Sequence, residues 1–196
     1  MHYKTIIAII TVILVFYAYI PYIIDILKKK TIPHVFSYFI FGLTSSIIYA
    51  LQVKGGAGAG SWVTLFVALF CIFIFFLSLK IGDKDITLSD IVFLILALVS
   101  LSFWLVVEKP VLAIIFIILV EILGFIPTVR KSWNRPNTET LSLYTISTIR
   151  HLLAIFALSK FNILTILNPV AWALANGLFG LILIIRRKKI RNLTIR

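Results

Sequence analysis

Long apolar runs alternate with short polar gaps along the whole chain. A transmembrane helix needs about 20 mostly apolar residues to cross about 30 Å of hydrocarbon. Seven stretches reach that length, at residues 5–24, 35–53, 61–79, 88–107, 110–129, 141–159 and 166–185. The gaps between them carry turn or charge signals: Lys28 to Pro33, Gly55 to Ser61, Gly82 to Asp85, Glu108 to Pro110, and Lys131 to Thr140. Strands of a membrane barrel would alternate polar and apolar positions, and these runs do not. The pattern therefore predicts an all-α membrane protein with seven transmembrane helices. The first run, Thr5 to Ile24, is too long for a signal-peptide core and has no small-x-small site before Asp25. It reads as a retained span.

Composition agrees with the pattern. Of 196 residues, 61% are hydrophobic and 13% charged, with a mean hydropathy of +1.11. A soluble domain keeps about a quarter of its residues charged, because its surface faces water. Lys and Arg number 19 against 7 Asp and Glu, a formal charge of +12. In a soluble protein that balance would point to nucleic acid. Here the basic residues fill the gaps between spans, where they set orientation and meet anionic head groups, so a lipid bilayer and not nucleic acid is the expected partner. With the loop after the first span on the cytoplasmic side, that side holds Lys28, Lys29, Lys30, Lys80, Lys84, Arg130, Lys131, Arg135, Arg186, Arg187, Lys188, Lys189, Arg191 and Arg196. The far side holds Lys4, Lys54, Lys109 and Lys160. The positive-inside rule then predicts an outside N terminus and a cytoplasmic C terminus, in the cell membrane. The single cysteine, Cys71, lies inside an apolar run and excludes an intramolecular disulfide.

An offset of 106 residues places Tyr19-Ile20-Pro21 on Phe125-Ile126-Pro127, Tyr38 on Tyr144 and Ile40 on Ile146. A further shift of four residues brings Trp62 onto Trp172. Spans 1–3 and 5–7 run in the same directions, and span 4 inverts the chain between them. This predicts two parallel three-helix bundles joined by a linker helix: residues 1–86, the linker 87–108, and 109–196 with its basic tail. The three-plus-one-plus-three layout resembles the SWEET and PQ-loop superfamily of small transporters. Pro21 and Pro127 match the prolines that end the first and fifth spans in that family, while Tyr22 and Thr128 stand where it has glutamine. The stretch Thr138 to Leu143 is similar to the family's loop entering its next span. The resemblance implies transport by alternating access, with Trp172 and Asn176 in the parts played by a tryptophan and an asparagine in the sugar carriers. Their third-span counterpart lacks an asparagine, which implies an asymmetric site.

Ionisable groups inside a span cost about 2.5–3.5 kcal/mol each on insertion scales, so each needs a reason. Glu121 in span 5 and Arg150 and His151 in span 6 are such groups. Counted from the span ends at 1.5 Å per residue, Glu121 and Arg150 both lie roughly 12–14 Å from the cytoplasmic face. Asn176, Thr44, Ser45 and Ser46 fall at the same level, and Thr44 is the repeat counterpart of Arg150. Two readings of this belt stand side by side. One is a structural ion pair between Glu121 and Arg150, with the hydroxyls and Asn176 satisfying their neighbours. The other is a midplane substrate site, with Arg150, His151, Asn176, Thr44 and Ser45 binding a polar solute and Trp172 stacking on a ring. Glu121 or His151 is also a candidate to couple movement to protons. Pro21 and Pro127 are expected to kink their helices and to act as hinges. Thr87 with Asp90 resembles a helix N-cap with an acidic third position.

No chemistry-bearing motif occurs: there is no phosphate loop, HExxH, GxSxG or cysteine cluster. His2, His34 and His151 are scattered, so no metal site and no cofactor are expected, and an enzyme is not. The expected function is movement of a small polar solute (sugar, vitamin, nucleoside, or amino or carboxylic acid). The alternative is a non-transporting receptor or scaffold of the same fold. One chain with two repeats can supply a complete pathway, and a homo-oligomer is equally compatible.

Overall fold

Each apolar run becomes a helix. The computed structural model describes residues 2–29, 32–82, 86–134, 136, 139 and 141–194, excluding the side chains of 2, 90, 124, 126–128, 130, 131, 134 and 191–194. In chain order the elements are α1 (His2–Leu27), α2 (Val35–Lys54), a 3-10 turn (Gly58–Ser61), α3 (Trp62–Ile81), α4 (Leu88–Leu105), α5 (Pro110–Asn134), α6 (Leu141–Ala157) and α7 (Ile163–Thr194). No strand occurs among the described residues.

Four segments are long and apolar enough to cross a membrane: Tyr3–Leu27, Val35–Lys54, Gly58–Ile81 and Ile163–Ile190. Ile91–Leu105, Pro110–Leu123 and Leu141–Ala157 are apolar but shorter. Every helix also turns large apolar side chains outward, among them Ile13, Phe41, Phe76, Ile95, Leu119, Phe156 and Leu174. Water would penalise apolar surface on that scale, whereas lipid accepts it and helices satisfy their own backbone. These are the marks of an integral membrane protein.

Local chemistry sets the helix ends. At the start of α2 the His34 ring nitrogen Nδ1 accepts from the Ser37 backbone N–H at 3.2 Å, which satisfies one of the free donors of the first turn. Past the end of α4, Glu108 takes a positive φ of 54°, and Pro110 opens α5 at the position where its missing N–H costs nothing. Thr87 hydrogen-bonds the Ser89 hydroxyl at 2.8 Å ahead of α4; the Asp90 side chain of the expected cap lies outside the described ones. The last helix is longer than its apolar run, because Arg186 to Asn192 are adequate helix formers and carry α7 on to Thr194.

Neighbouring helices are not simply those adjacent in sequence. Helix α3 packs on both α1 and α2, and α7 packs on both α5 and α6. Across the molecule α1 meets α6, α2 meets α5 and α7, and α4 lies against α5 and α2. In lipid such contacts hold by van der Waals fit, since burial from water contributes little. The largest cluster joins Ile47, Ile48 and Leu51 of α2 to Ala113, Ile114, Ile117 and Ile118 of α5 and to Leu164 of α7. A second joins Val15 of α1, Val63 of α3 and Ala154 of α6. Gly42 lets α2 approach α3 closely: an added Cβ there would lie 3.0 Å from Ile72 Cγ1. Pro21 sits inside α1 on an exposed face. Pro127 falls within α5, its side chain outside the described ones.

Candidate functional site

The polar belt expected from span depth is assembled from both halves of the chain. Thr44, Ser45, Glu121, Arg150, His151 and Asn176 are all buried, and Trp172 is half-buried. Glu121 reaches α7, where its Oε2 accepts the Trp172 indole N–H at 2.8 Å. The Thr44 hydroxyl lies beside the same carboxylate and also has the Phe41 carbonyl at 3.2 Å as an acceptor. Asn176, one turn beyond Trp172, donates its amide to the Trp172 carbonyl at 2.7 Å. Ser45 is buried next to Thr44 on α2.

Arg150 does not pair with Glu121. Two of its nitrogens, Nε and Nη1, have no hydrogen-bond partner, and Nη2 lies 3.2 Å from Nε2 of the adjacent His151. The helix order explains why the expected pair does not form. Helix α7 stands between α5 and α6, so a carboxylate leaving α5 meets the α7 indole first. Arg150 is turned instead toward α1 and α3, where Tyr19 and Cys71 are its electrostatic neighbours. Tyr19 and Cys71 are also within electrostatic range of Glu121, so both ionisable groups act on them. The Tyr19 hydroxyl is 3.8 Å from the Cys71 sulfur, and its ring stacks on Phe70 at 5.1 Å.

An aromatic cluster fixes the α7 side. Phe125 meets Trp172 edge-on at 5.6 Å and Phe179 at 5.2 Å, while Tyr144 meets Phe179 at 4.5 Å. Such pairs contribute about 0.5–1.5 kcal/mol each beyond their area. The Tyr144 hydroxyl donates to Glu139 at 2.7 Å. The Trp172 indole is thus held at its edge by Phe125 and at its nitrogen by Glu121, with the His151 ring 6.5 Å away and nearly parallel.

Span depth found the charged and amide members of this belt but not Tyr19 or Cys71. Both are amphipathic residues that hydropathy counts as apolar. A signal was available for Tyr19: it lies eight residues before Leu27, the last residue of α1, which is the depth reasoning applied to Glu121.

No protein-family model matches the chain, and no curated protein or solved structure matches it either.

Proposed function

We propose that this chain is a membrane carrier that moves a small polar solute by alternating access past Arg150. The observation that carries the reading is a buried guanidinium with two unpartnered nitrogens at membrane depth, beside an unpartnered His151 Nδ1. A purely structural arginine in an apolar bundle is expected to have its donors satisfied, since each orphan costs the full desolvation of the group.

The helix neighbours support an architecture suited to such movement. The order α1–α3–α2 repeats as α5–α7–α6, and the contacts α1 to α6 and α5 to α2 exchange under the same correspondence. Residues 1–86 and 109–196 are then two parallel three-helix units, with 87–108 as the inverting linker. The polar belt draws on α2 from one unit and α5, α6 and α7 from the other, with Tyr19 of α1 and Cys71 of α3 facing it. Solutes bind at such repeat interfaces in carriers that rock one unit against the other. Pro21 and Pro127 are the hinge positions in this scheme, and Glu121 and His151 the groups that would carry protons. The basic gaps orient the chain with its N terminus outside and its C terminus in the cytoplasm.

Counterflow into proteoliposomes tests the reading, using labelled sugars, nucleosides and amino or carboxylic acids. Wild-type uptake of one class, lost in Arg150→Ala and Asn176→Ala variants that stay monodisperse, supports it. No uptake across the panel overturns it in favour of a receptor or scaffold with the same helices, and uptake untouched by both changes overturns the passage past Arg150.

A further inference from the structure

We infer that the solute carries a carboxylate, received by Arg150 and His151 on the side of the site that faces α1 and α3. This rests on the binding site proposed above and names the chemistry it takes.

Donors and acceptors decide what this side of the site can hold. An arginine has only donors, so at 3.2 Å from Arg150 Nη2 the His151 Nε2 must accept. The histidine proton is then on Nδ1, which makes Nδ1 a donor as well. The orphaned atoms are therefore Arg150 Nε, Arg150 Nη1 and His151 Nδ1, all donors, and both residues are more than nine-tenths buried, at 7% and 8% exposed. A neutral polyol or amide would bring donors of its own into a place whose nearby acceptors are the Tyr19 hydroxyl and the Cys71 sulfur, which already face each other at 3.8 Å. An oxyanion brings acceptors alone.

Charge selects among oxyanions. Of the chain's seven acids, Glu121 is the one at this depth, and its oxygens are engaged by the Trp172 N–H and neighboured by the Thr44 hydroxyl. The guanidinium thus has one positive charge to compensate while a negative charge stands nearby. With Glu121 ionised the two side chains already sum to zero, so a monoanion leaves one uncompensated charge at this depth and a phosphate dianion leaves two, which favours the monoanion. Tyr19 and Cys71 are the neighbours of Arg150 on this side, Phe70 stacks on the Tyr19 ring, and Val15 clusters with Ala154 one turn along α6, so the part of the solute beyond the carboxylate meets a largely apolar and aromatic surface. A small monocarboxylate with an apolar remainder fits each of these conditions.

The test separates binding from flux. Purified full-length protein is titrated with acetate, lactate and benzoate, and in parallel with glucose, inorganic phosphate and chloride, following thermal stability and tryptophan fluorescence. The expected result is saturable stabilisation by carboxylates, strongest for benzoate. Affinity should fall about thirtyfold or more in Arg150→Gln, as for a buried charge pair losing one partner, and return in part in Arg150→Lys. The wild-type ranking alone decides the matter if Arg150→Gln does not fold. Binding of carboxylates without counterflow of labelled benzoate keeps this inference and defeats the carrier reading. Flux of a neutral solute, with no carboxylate binding, defeats this inference and keeps the carrier. Equal responses to glucose, or a preference for phosphate or chloride, overturn it as well.

Discussion

The two ends of the bundle are tied in different ways. At the end carrying the α2–α3 and α6–α7 loops, the halves of the chain hold each other. The Ser159 backbone N–H donates to the Ala57 carbonyl at 2.9 Å, the Asn162 amide to the Gly55 carbonyl at 2.7 Å, and Lys4 Nζ to the Leu158 carbonyl at 2.6 Å. Glycine makes this interlock possible. Gly58 takes a positive φ of 61° against Ser159, and a Cβ on Gly60 would stand 2.8 Å from the Leu158 backbone. At the opposite end the described ties run within one half. Arg186 donates to the Trp133 carbonyl at 2.7 Å and Arg187 to the Pro136 carbonyl at 3.1 Å, both inside α5–α7, and Gly82 of the first half closes on the Pro33 carbonyl. One end is therefore a seam between halves, and the other holds each half together. If the chain is the carrier proposed above, the seam is the gate that must open during turnover.

The largest expected effect comes from locking the seam. Ala57→Cys with Ser159→Cys, in a Cys71→Ser background, should cross-link on oxidation because the two backbones already share a hydrogen bond. Counterflow should then stop and recover with reductant; unchanged flux in the oxidised protein would mean that the seam does not open during turnover. Next is Gly60→Val, which places a branched side chain against the Leu158 backbone and should cost about 1–3 kcal/mol by overpacking. Gly180→Ala is the control, since its Cβ would sit 3.9 Å from Leu141 Cδ1 in ordinary contact. Thermal unfolding in detergent that lowers both midpoints equally would deny the seam its special tightness. Asn162→Ala removes both the bond to Gly55 and the Oδ1 that accepts from Leu164 N at 3.0 Å at the start of α7. About 1 kcal/mol is expected from the lost cap, read as faster hydrogen exchange in residues 55–61 and 158–164. The smallest effect belongs to Arg186→Ala at the other end. Its guanidinium lies over the Trp133 ring at 4.9 Å in an exposed setting, which should make a difference of about 0.5–1 kcal/mol. A loss larger than that of Gly60→Val would reverse the contrast between the ends.

Much of this arrangement could be read from the sequence, and the part that could not has a common cause. The helix starts at Val35, Leu88, Pro110 and Leu141 fall where the apolar runs begin, because charge, glycine and proline end a span sharply. The polar belt was also legible, since a charge or amide inside 20 apolar residues is conspicuous whatever surrounds it. Partnership was not. Whether Glu121 meets Arg150 or Trp172 depends on α7 standing between α5 and α6, and no periodicity along one helix encodes which helix comes next in space. The tryptophans make the same point. Sequence alignment sets Trp62 on Trp172, yet Trp62 is exposed at the start of α3 while Trp172 is clasped by Glu121 and Phe125.

Cys71 gives the protein a built-in reporter. It is the sole thiol of the chain, buried against Tyr19 and within electrostatic range of both Arg150 and Glu121. A membrane-permeant maleimide added to the unmodified protein can therefore react at only one sulfur, and only while the helices around it are apart. The rate of that single alkylation is a clock for how often the centre of the bundle becomes accessible. Its slowing by an added compound is a measure of occupancy that requires neither a label on the compound nor a change to the protein.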